Sequence, residues 1–216
     1  MRDKPRLLDL FCGAGGCTKG YQRAGFYVVG VDINPQPRYC GDEFVQADAL
    51  EYVAEHGHEF DAIHASPPCQ AYSVTANMPW VGEYPQLIEP VRNLLQLIDK
   101  PYVIENVVGA PLDGITLCGT MFGLQLFRHR IFETSWFMLG VPHTRHTEQI
   151  GKNGFVGMAG HGDSGRGRIP SDHRSVQAWK RASRIDWMTR DELAEAIPPA
   201  YTEYIGRHLI EVLHAE

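Results

Sequence analysis

Arg6-Leu7-Leu8-Asp9-Leu10-Phe11-Cys12-Gly13-Ala14-Gly15-Gly16 decides how the rest of this chain is read. An apolar run of strand length, Arg6 to Phe11, breaks on glycines, and a helix-compatible stretch follows through Tyr21 to Ala24. A strand that turns on glycine into a helix brings bare backbone close to a ligand and aims helix N–H groups at it. Tyr27 to Ile33 reads as a second strand, with Asp32 at its end, 19 residues beyond Gly13. A carboxylate there can accept both hydroxyls of a ribose. The full G-x-G-x-x-G pattern of dinucleotide binders is missing, so the residues alone leave both a nucleoside site and a plain tight turn open.

Outward from this point the same alternation repeats. A short helix near Ala49 to Glu55, a strand from Phe60 to Ala65, a helix with Leu87, Val91, Leu94, Leu95 and Ile98 on one face, and a strand from Tyr102 to Glu105 follow in order. Pro90 is compatible with that helix only in its first turn. Strands alternating with helices predict an α/β fold, a mostly parallel sheet with helices on both faces. Gly114 to Gly123 and Phe127 to Phe137 read as strand and turn material that extends the sheet in antiparallel fashion. Pro142 to Arg174, rich in Gly, His, Arg and Asp, reads as a long surface loop or a small irregular subdomain, the kind of segment that is often functional. Thr189-Arg190-Asp191-Glu192 has the form of a capping box opening a short helix before Pro198-Pro199. Tyr201 to His214 is a final amphipathic helix with Ile205, Leu209 and Val212 on one face.

Composition narrows the classes. The 216 residues suffice for one sizeable core, and 44% apolar with 21% charged content is that of an ordinary globular protein. There is no apolar run long enough to span a membrane and no signal-peptide pattern, so a cytoplasmic protein is expected. Cys12, Cys17, Cys40, Cys69 and Cys118 are scattered without a paired short spacing; reduced thiols are expected rather than a disulfide framework or a zinc knuckle. A net charge of -6 argues against coating nucleic acid by bulk charge but permits a local basic cleft.

Pro67-Pro68-Cys69-Gln70 carries the chemistry. A cysteine near a strand end is commonly a small buried hydrophobe. Two prolines, however, end the ladder and place the thiol in a loop at the carboxyl edge of the sheet, where open α/β sheets bind ligands. A nucleophilic Cys69 needs a nearby cation or helix N-terminus to favour thiolate. Glu105-Asn106-Val107 puts an acid just past another strand on the same rim.

Taken in order, Asp9 to Gly16, Pro67 to Gln70, Glu105 to Val107 and Arg128-His129-Arg130 resemble the signature blocks of the cytosine-C5 DNA methyltransferases. The resemblance covers residues 6 to 137 well and Ala196 to Gly206 more loosely. It implies the Rossmann-like S-adenosylmethionine-dependent methyltransferase fold, S-adenosyl-L-methionine as cofactor, and a cytosine in double-stranded DNA as acceptor. It makes Phe11, Gly13 and Gly15 the cofactor cradle, with Asp32 on the ribose, Ile33 on the adenine face, Asp48 on the adenine amino group and Pro68 lining the adenine pocket. Cys69 becomes the nucleophile that adds to C6, Glu105 the group on the N3 and N4 edge, and Arg130 the holder of O2. Arg128 becomes the residue that orients the Cys69 loop or a phosphate. The target base must leave its stack, and Gln70 to Pro79, with Tyr72, Ser73, Thr75, Asn77 and Met78, is the expected moving loop.

The chain departs from the family in two places. The span between Arg128-His129-Arg130 and the last block is short, so 1–141 is expected to be the catalytic and cofactor-binding domain, 142–184 a reduced target-recognition segment, and 185–216 helices returning to the first. Arg145, Lys152, Arg166, Arg168, Arg174, Lys180, Arg181 and Arg184 make that segment locally basic and suited to DNA; a module this small suggests a short or relaxed target sequence. Ala194-Glu195-Ala196-Ile197-Pro198-Pro199 stands where the family has Gly-Asn-Ala. His143, His146, His161 and His173 match no standard metal spacing and are expected to face solvent or phosphate, with no metal. A compact DNA enzyme, of phage or restriction-modification origin and monomeric, is the leading expectation; an RNA cytosine-C5 methyltransferase and a non-catalytic nucleic-acid-binding module remain beside it.

Overall fold

The computed structural model describes residues 4–72, 85–143, 145–158 and 175–215. Its strands are β1 (Arg6–Leu10), β2 (Tyr27–Asp32), β3 (Glu43–Gln46), β4 (Ala62–Ala65), β5 (Tyr102–Val107), β6 (Ile115–Leu117) and β7 (Arg130–Thr134). They form one sheet in the order β3-β2-β1-β4-β5-β7-β6. The first five are parallel, and β7 runs antiparallel between β5 and β6. This is the expected α/β architecture with its antiparallel extension. β3 went unread in the sequence: four residues at the sheet edge, none of them fully buried, carry too weak a pattern.

The helices are α1 (Gly16–Ala24), α2 (Ala49–His56), α3 (Ile88–Ile98), α4 (Val176–Ser183), α5 (Arg190–Glu195) and α6 (Pro199–Ala215). Because side chains alternate along a strand, the sheet has two apolar faces. Leu7, Val28, Ala62 and Val103 turn to the α1 and α6 side, where Tyr21, Tyr201, Ile205 and Leu209 complete one core. Leu8, Val29, Ile63 and Ile104 turn to the other, against Val53 of α2 and Val91 and Leu95 of α3. Pro90 lies in the first turn of α3, as its missing N–H requires.

Helix α1 lies very close to α6. A Cβ on Gly20 would fall 2.1 Å from Thr202 Oγ1 and 2.2 Å from the Pro199 carbonyl, and Thr202 Oγ1 donates to the Cys17 carbonyl at 2.7 Å. The capping box of α5 forms as read, Thr189 accepting from Glu192 N and Glu192 from Thr189 N. Within the span read as a reduced recognition segment, α4 buries Trp179 and Ala182 in the same core as α6, and Val156 and Met158 join it. That span is therefore not loop throughout; Ser175 caps a helix whose apolar face packs inward. Residues 73–79 of the expected moving loop, together with His161, Arg166, Arg168, His173 and Arg174, lie outside the described residues. Among the described residues no helix is long and apolar enough to cross a membrane.

Candidate active site

The carboxyl ends of β1, β2, β4 and β5 make one rim. At its centre the β1–α1 turn is held in left-handed backbone: Phe11 at φ 60°, Gly13 at φ 49° and Gly15 at φ 87°. A Cβ on Gly15 would strike Cys40 Sγ at 2.8 Å, whereas one on Gly13 would meet nothing within 4 Å. The first glycine is demanded by packing; the second leaves bare backbone facing open space. Asp32 Oδ2 accepts from Gly13 N at 3.0 Å and Oδ1 from Asn34 N at 2.9 Å, which locks the β2 end against the turn. Ile33 beside it is 64% exposed, an apolar side chain with an uncovered face. Asp48 caps α2 through Oδ1, accepting from Leu50 N and Glu51 N.

Across from this turn, β4 ends in Ser66 and the two prolines deliver half-buried Cys69 into a short 3-10 turn, Gln70–Tyr72. Asn106 Nδ2 donates to the Pro67 carbonyl at 2.9 Å, tying this loop to the end of β5. Glu105 points into the interior, 5% exposed. Since β7 is antiparallel to β5, with Val107 opposite Arg130, its first residue reaches the same rim. Arg130 Nε lies 3.0 Å from Glu105 Oε1, an ion pair off the ideal hydrogen-bond line. Burial raises the Glu105 carboxyl, while Arg130, Arg128 and a hydrogen bond from Ser66 pull it back. Burial likewise raises the Cys69 thiol; Arg130 offsets it and Glu105 adds to it. The cation that a reactive thiol requires is thus present.

Arg128 behaves differently from the reading of the sequence. It is 4% exposed, and its guanidinium donates to the carbonyls of Met158 (2.8 Å), Ala194 (2.9 Å) and Glu195 (2.8 Å) rather than to the Cys69 loop. Tyr201 Oη donates to the Arg128 carbonyl at 2.5 Å. Its charge still acts on Cys69 and Glu105, but its hydrogen bonds bind the rim to the chain after β7. The Ala194–Pro199 block lies against the glycine turn: a Cβ on Gly16 would fall 2.6 Å from the Ile197 carbonyl.

Two polar residues behind the rim were missed. His64, fully buried, bonds through Nδ1 to Tyr21 Oη (2.9 Å) and through Nε2 to Ser66 Oγ (2.8 Å), and Ser66 bonds Glu105. Burial pushes His64 down to about 3, so it stays neutral in this chain of hydrogen bonds. Asp9, also fully buried, accepts from Thr18 Oγ1 at 2.5 Å and is pushed up to about 7 by burial. The signal available was a histidine and an aspartate inside otherwise apolar strands. A hollow of about 390 Å³ between Leu95, Tyr102 and Val212 opens at the opposite edge of β5 and contains none of the predicted residues.

A parallel sheet in this order, with an antiparallel seventh strand and a glycine turn facing an acid-ended second strand, defines the Rossmann-like methyltransferase class. Residues 5–110 match the family described as C-5 cytosine-specific DNA methylase, and over that segment the chain is similar to the cytosine-C5 DNA methyltransferases. The Type II methyltransferase M.XorII of Xanthomonas oryzae is 32% identical over 124 residues, 49% of this chain and 29% of that protein. M.FnuDI of Fusobacterium nucleatum is 29% identical over 113 residues, 48% of this chain and 33% of that one. The chain thus spans about a third of the length of these relatives. The Schizosaccharomyces pombe Dnmt2 methyltransferase structure aligns at a TM-score of 0.48 and 19% identity, over 63% of this chain and 52% of that one.

Proposed function

We propose that the protein is a DNA cytosine-C5 methyltransferase acting through a covalent Cys69–C6 adduct on a base turned out of double-stranded DNA. The observation that carries this reading is the meeting of Cys69, Glu105 and Arg130 on one rim beside the glycine turn. The turn fits S-adenosylmethionine: Gly13 leaves room for backbone approach, Asp32 keeps lone pairs for ribose hydroxyls beyond its two backbone bonds, and exposed Ile33 offers an apolar face to the adenine. Phe11, Gly15, Asp48 and Pro68 complete the binding set. The bound cofactor supplies an electrophilic methyl group on a sulfonium.

The residues of this chain prepare the base to accept it. C5 of cytosine is a weak nucleophile, and addition of the Cys69 thiolate to C6 makes the C5–C6 unit enamine-like. Glu105, raised by burial, is suited to share a proton with N3, drawing electron density from C6 as the carbon–sulfur bond forms. Arg130 holds O2 and favours thiolate at Cys69. Once C5 has accepted the methyl group, loss of its proton to water re-forms the C5–C6 double bond as the Cys69 thiolate leaves, and N3 returns its proton to Glu105. Arg128 serves as the anchor that keeps Arg130 at the rim, and a restriction-modification setting accords with the Type II relatives.

Labelled S-adenosylmethionine with matched DNA and RNA duplexes tests the reading. Transfer to DNA, and a denaturation-resistant adduct with 5-fluorocytosine DNA that disappears in Cys69→Ser, is the expected result. Transfer to RNA alone would replace the substrate, and label transferred by Cys69→Ser at the wild-type rate would reject the thiolate step.

A further inference from the structure

Cys118, His129, His143 and His146 take no part in the chemistry above, yet one ligand-capable atom from each lies within 4.8 Å of all the others. The topology explains half of this meeting. β6 and β7 are antiparallel with Leu117 opposite Arg130, so the residues just beyond that pair, Cys118 and His129, leave the sheet side by side. The chain after β7 then returns over the same edge. Phe127 N donates to the Val156 carbonyl at 3.1 Å, and the Phe127 ring stacks on His146 at 4.3 Å and on Phe155 at 4.9 Å. His143 and His146 are thereby set over the Cys118 sulfur.

We propose that these four residues form a zinc site that fastens the stretch carrying His143 and His146 to the β6–β7 rim. Tetrahedral zinc, with bonds of about 2.3 Å to sulfur and about 2.0 Å to nitrogen, places neighbouring ligand atoms about 3.3–3.6 Å apart. Cys118 Sγ and His146 Nε2 are 3.5 Å apart, which already matches. His143 Nε2 and His146 Nε2 are 2.8 Å apart, and the ion requires them to open by about half an ångström. Ring contacts pack His146 on His129 and Phe127 and set His143 edge-on to His129, but they do not account for a fully buried thiol turned toward the same point. Thr120 Oγ1 donates to Cys118 Sγ at 3.5 Å, the outer hydrogen bond a metal thiolate uses.

One thiolate and three imidazoles close the coordination shell, so the site is structural, and the donor set favours zinc over magnesium or calcium. On binding, the Cys118 thiol gives its proton to solvent while the imidazoles bind neutral. His129 stands between Arg128 and Arg130, and Arg130 Nη1 donates to the His129 carbonyl at 2.8 Å, so the ion steadies the backbone from which both guanidiniums project. This inference is independent of the methyl-transfer reading.

The test uses the full chain, equilibrated with zinc, desalted and analysed for metal, then loaded with cobalt(II) for its absorption spectrum. One zinc per chain is expected, with roughly tenfold or greater loss of affinity in Cys118→Ser and in His143→Asn. Cobalt should give tetrahedral visible bands and a thiolate charge-transfer band that Cys118→Ser abolishes. His143 is exposed, so its variant folds even where Cys118→Ser does not. Zinc retained equally by wild type and His143→Asn, or a cobalt spectrum without the thiolate band, overturns the proposal.

Discussion

Arg130→Leu probes the centre of the rim. Arg130 Nε and Glu105 Oε1 are 3.0 Å apart, with side chains 15% and 6% exposed. At an effective dielectric of about 20 their gross attraction is about 5–6 kcal/mol, most of which desolvation offsets. The substitution acts through asymmetry, since it leaves a carboxylate buried without its counter-charge. Breaking one side of such a pair costs about 3–5 kcal/mol, and the partial exposure of Arg130 places this case near about 3 kcal/mol. Burial already raises Glu105, and losing Arg130 raises it further. An acid raised on folding costs stability as pH climbs from its unfolded to its folded value, and costs nothing below both. The deficit of Arg130→Leu is therefore larger near about pH 8 than near about pH 5. Adding Glu105→Gln should restore most of it and remove its pH dependence. Urea unfolding of wild type, both single variants and the double variant at the two pH values measures the coupling. A coupling under about 0.5 kcal/mol, or a deficit that ignores pH, refutes the assignment of a buried, charged pair.

The same charges act on Cys69: Glu105→Gln should speed its alkylation by iodoacetamide at neutral pH and Arg130→Leu should slow it, and unchanged rates in both would remove the electrostatic link. Asp9, pushed up to about 7, makes the wild type lose up to about 4 kcal/mol as pH rises from below its unfolded value of 3.8 through about 7. Asp9→Asn should flatten that part of the stability–pH curve; parallel curves would contradict it. Gly20→Ala gains about 1 kcal/mol of helix propensity and meets overpacking of about 1–3 kcal/mol against α6. A net loss of up to about 2 kcal/mol is expected, and a raised urea midpoint would show that the helices are not in close contact.

The four parallel strands other than β3 were legible because hydrophobic period and turn punctuation agree there: Leu7, Leu8 and Leu10 before Gly13, Ala62 to Ala65 before Pro67. Cys69 was legible as a residue past a strand end, whereas Glu105, read as lying just past its strand, sits inside β5, which runs two residues further to Val107. Arg130 reached them only through the antiparallel turn of β7, a fact of sheet register that local sequence does not contain. Arg128 shows the opposite failure: its basic character reads as a surface or substrate-facing feature, whereas its carbonyl partners lie 30, 66 and 67 residues away. The Ser66–Glu105 and Tyr21–His64 bonds and the meeting of Cys118 with His146 are likewise long-range, and no spacing rule along one strand reports them.

The contact of Thr202 with Cys17 spans 185 residues, and that of Trp187 Nε1 with the Ala14 carbonyl spans 173. Ribosomal synthesis runs from the amino end, so the glycine turn emerges long before the segments that seat it. Until α6 arrives, the groove at Gly20 is bare and the rim has no lid behind it. A nascent chain therefore presents Cys69 and the glycine turn before the C-terminal contacts that pack against that turn can form.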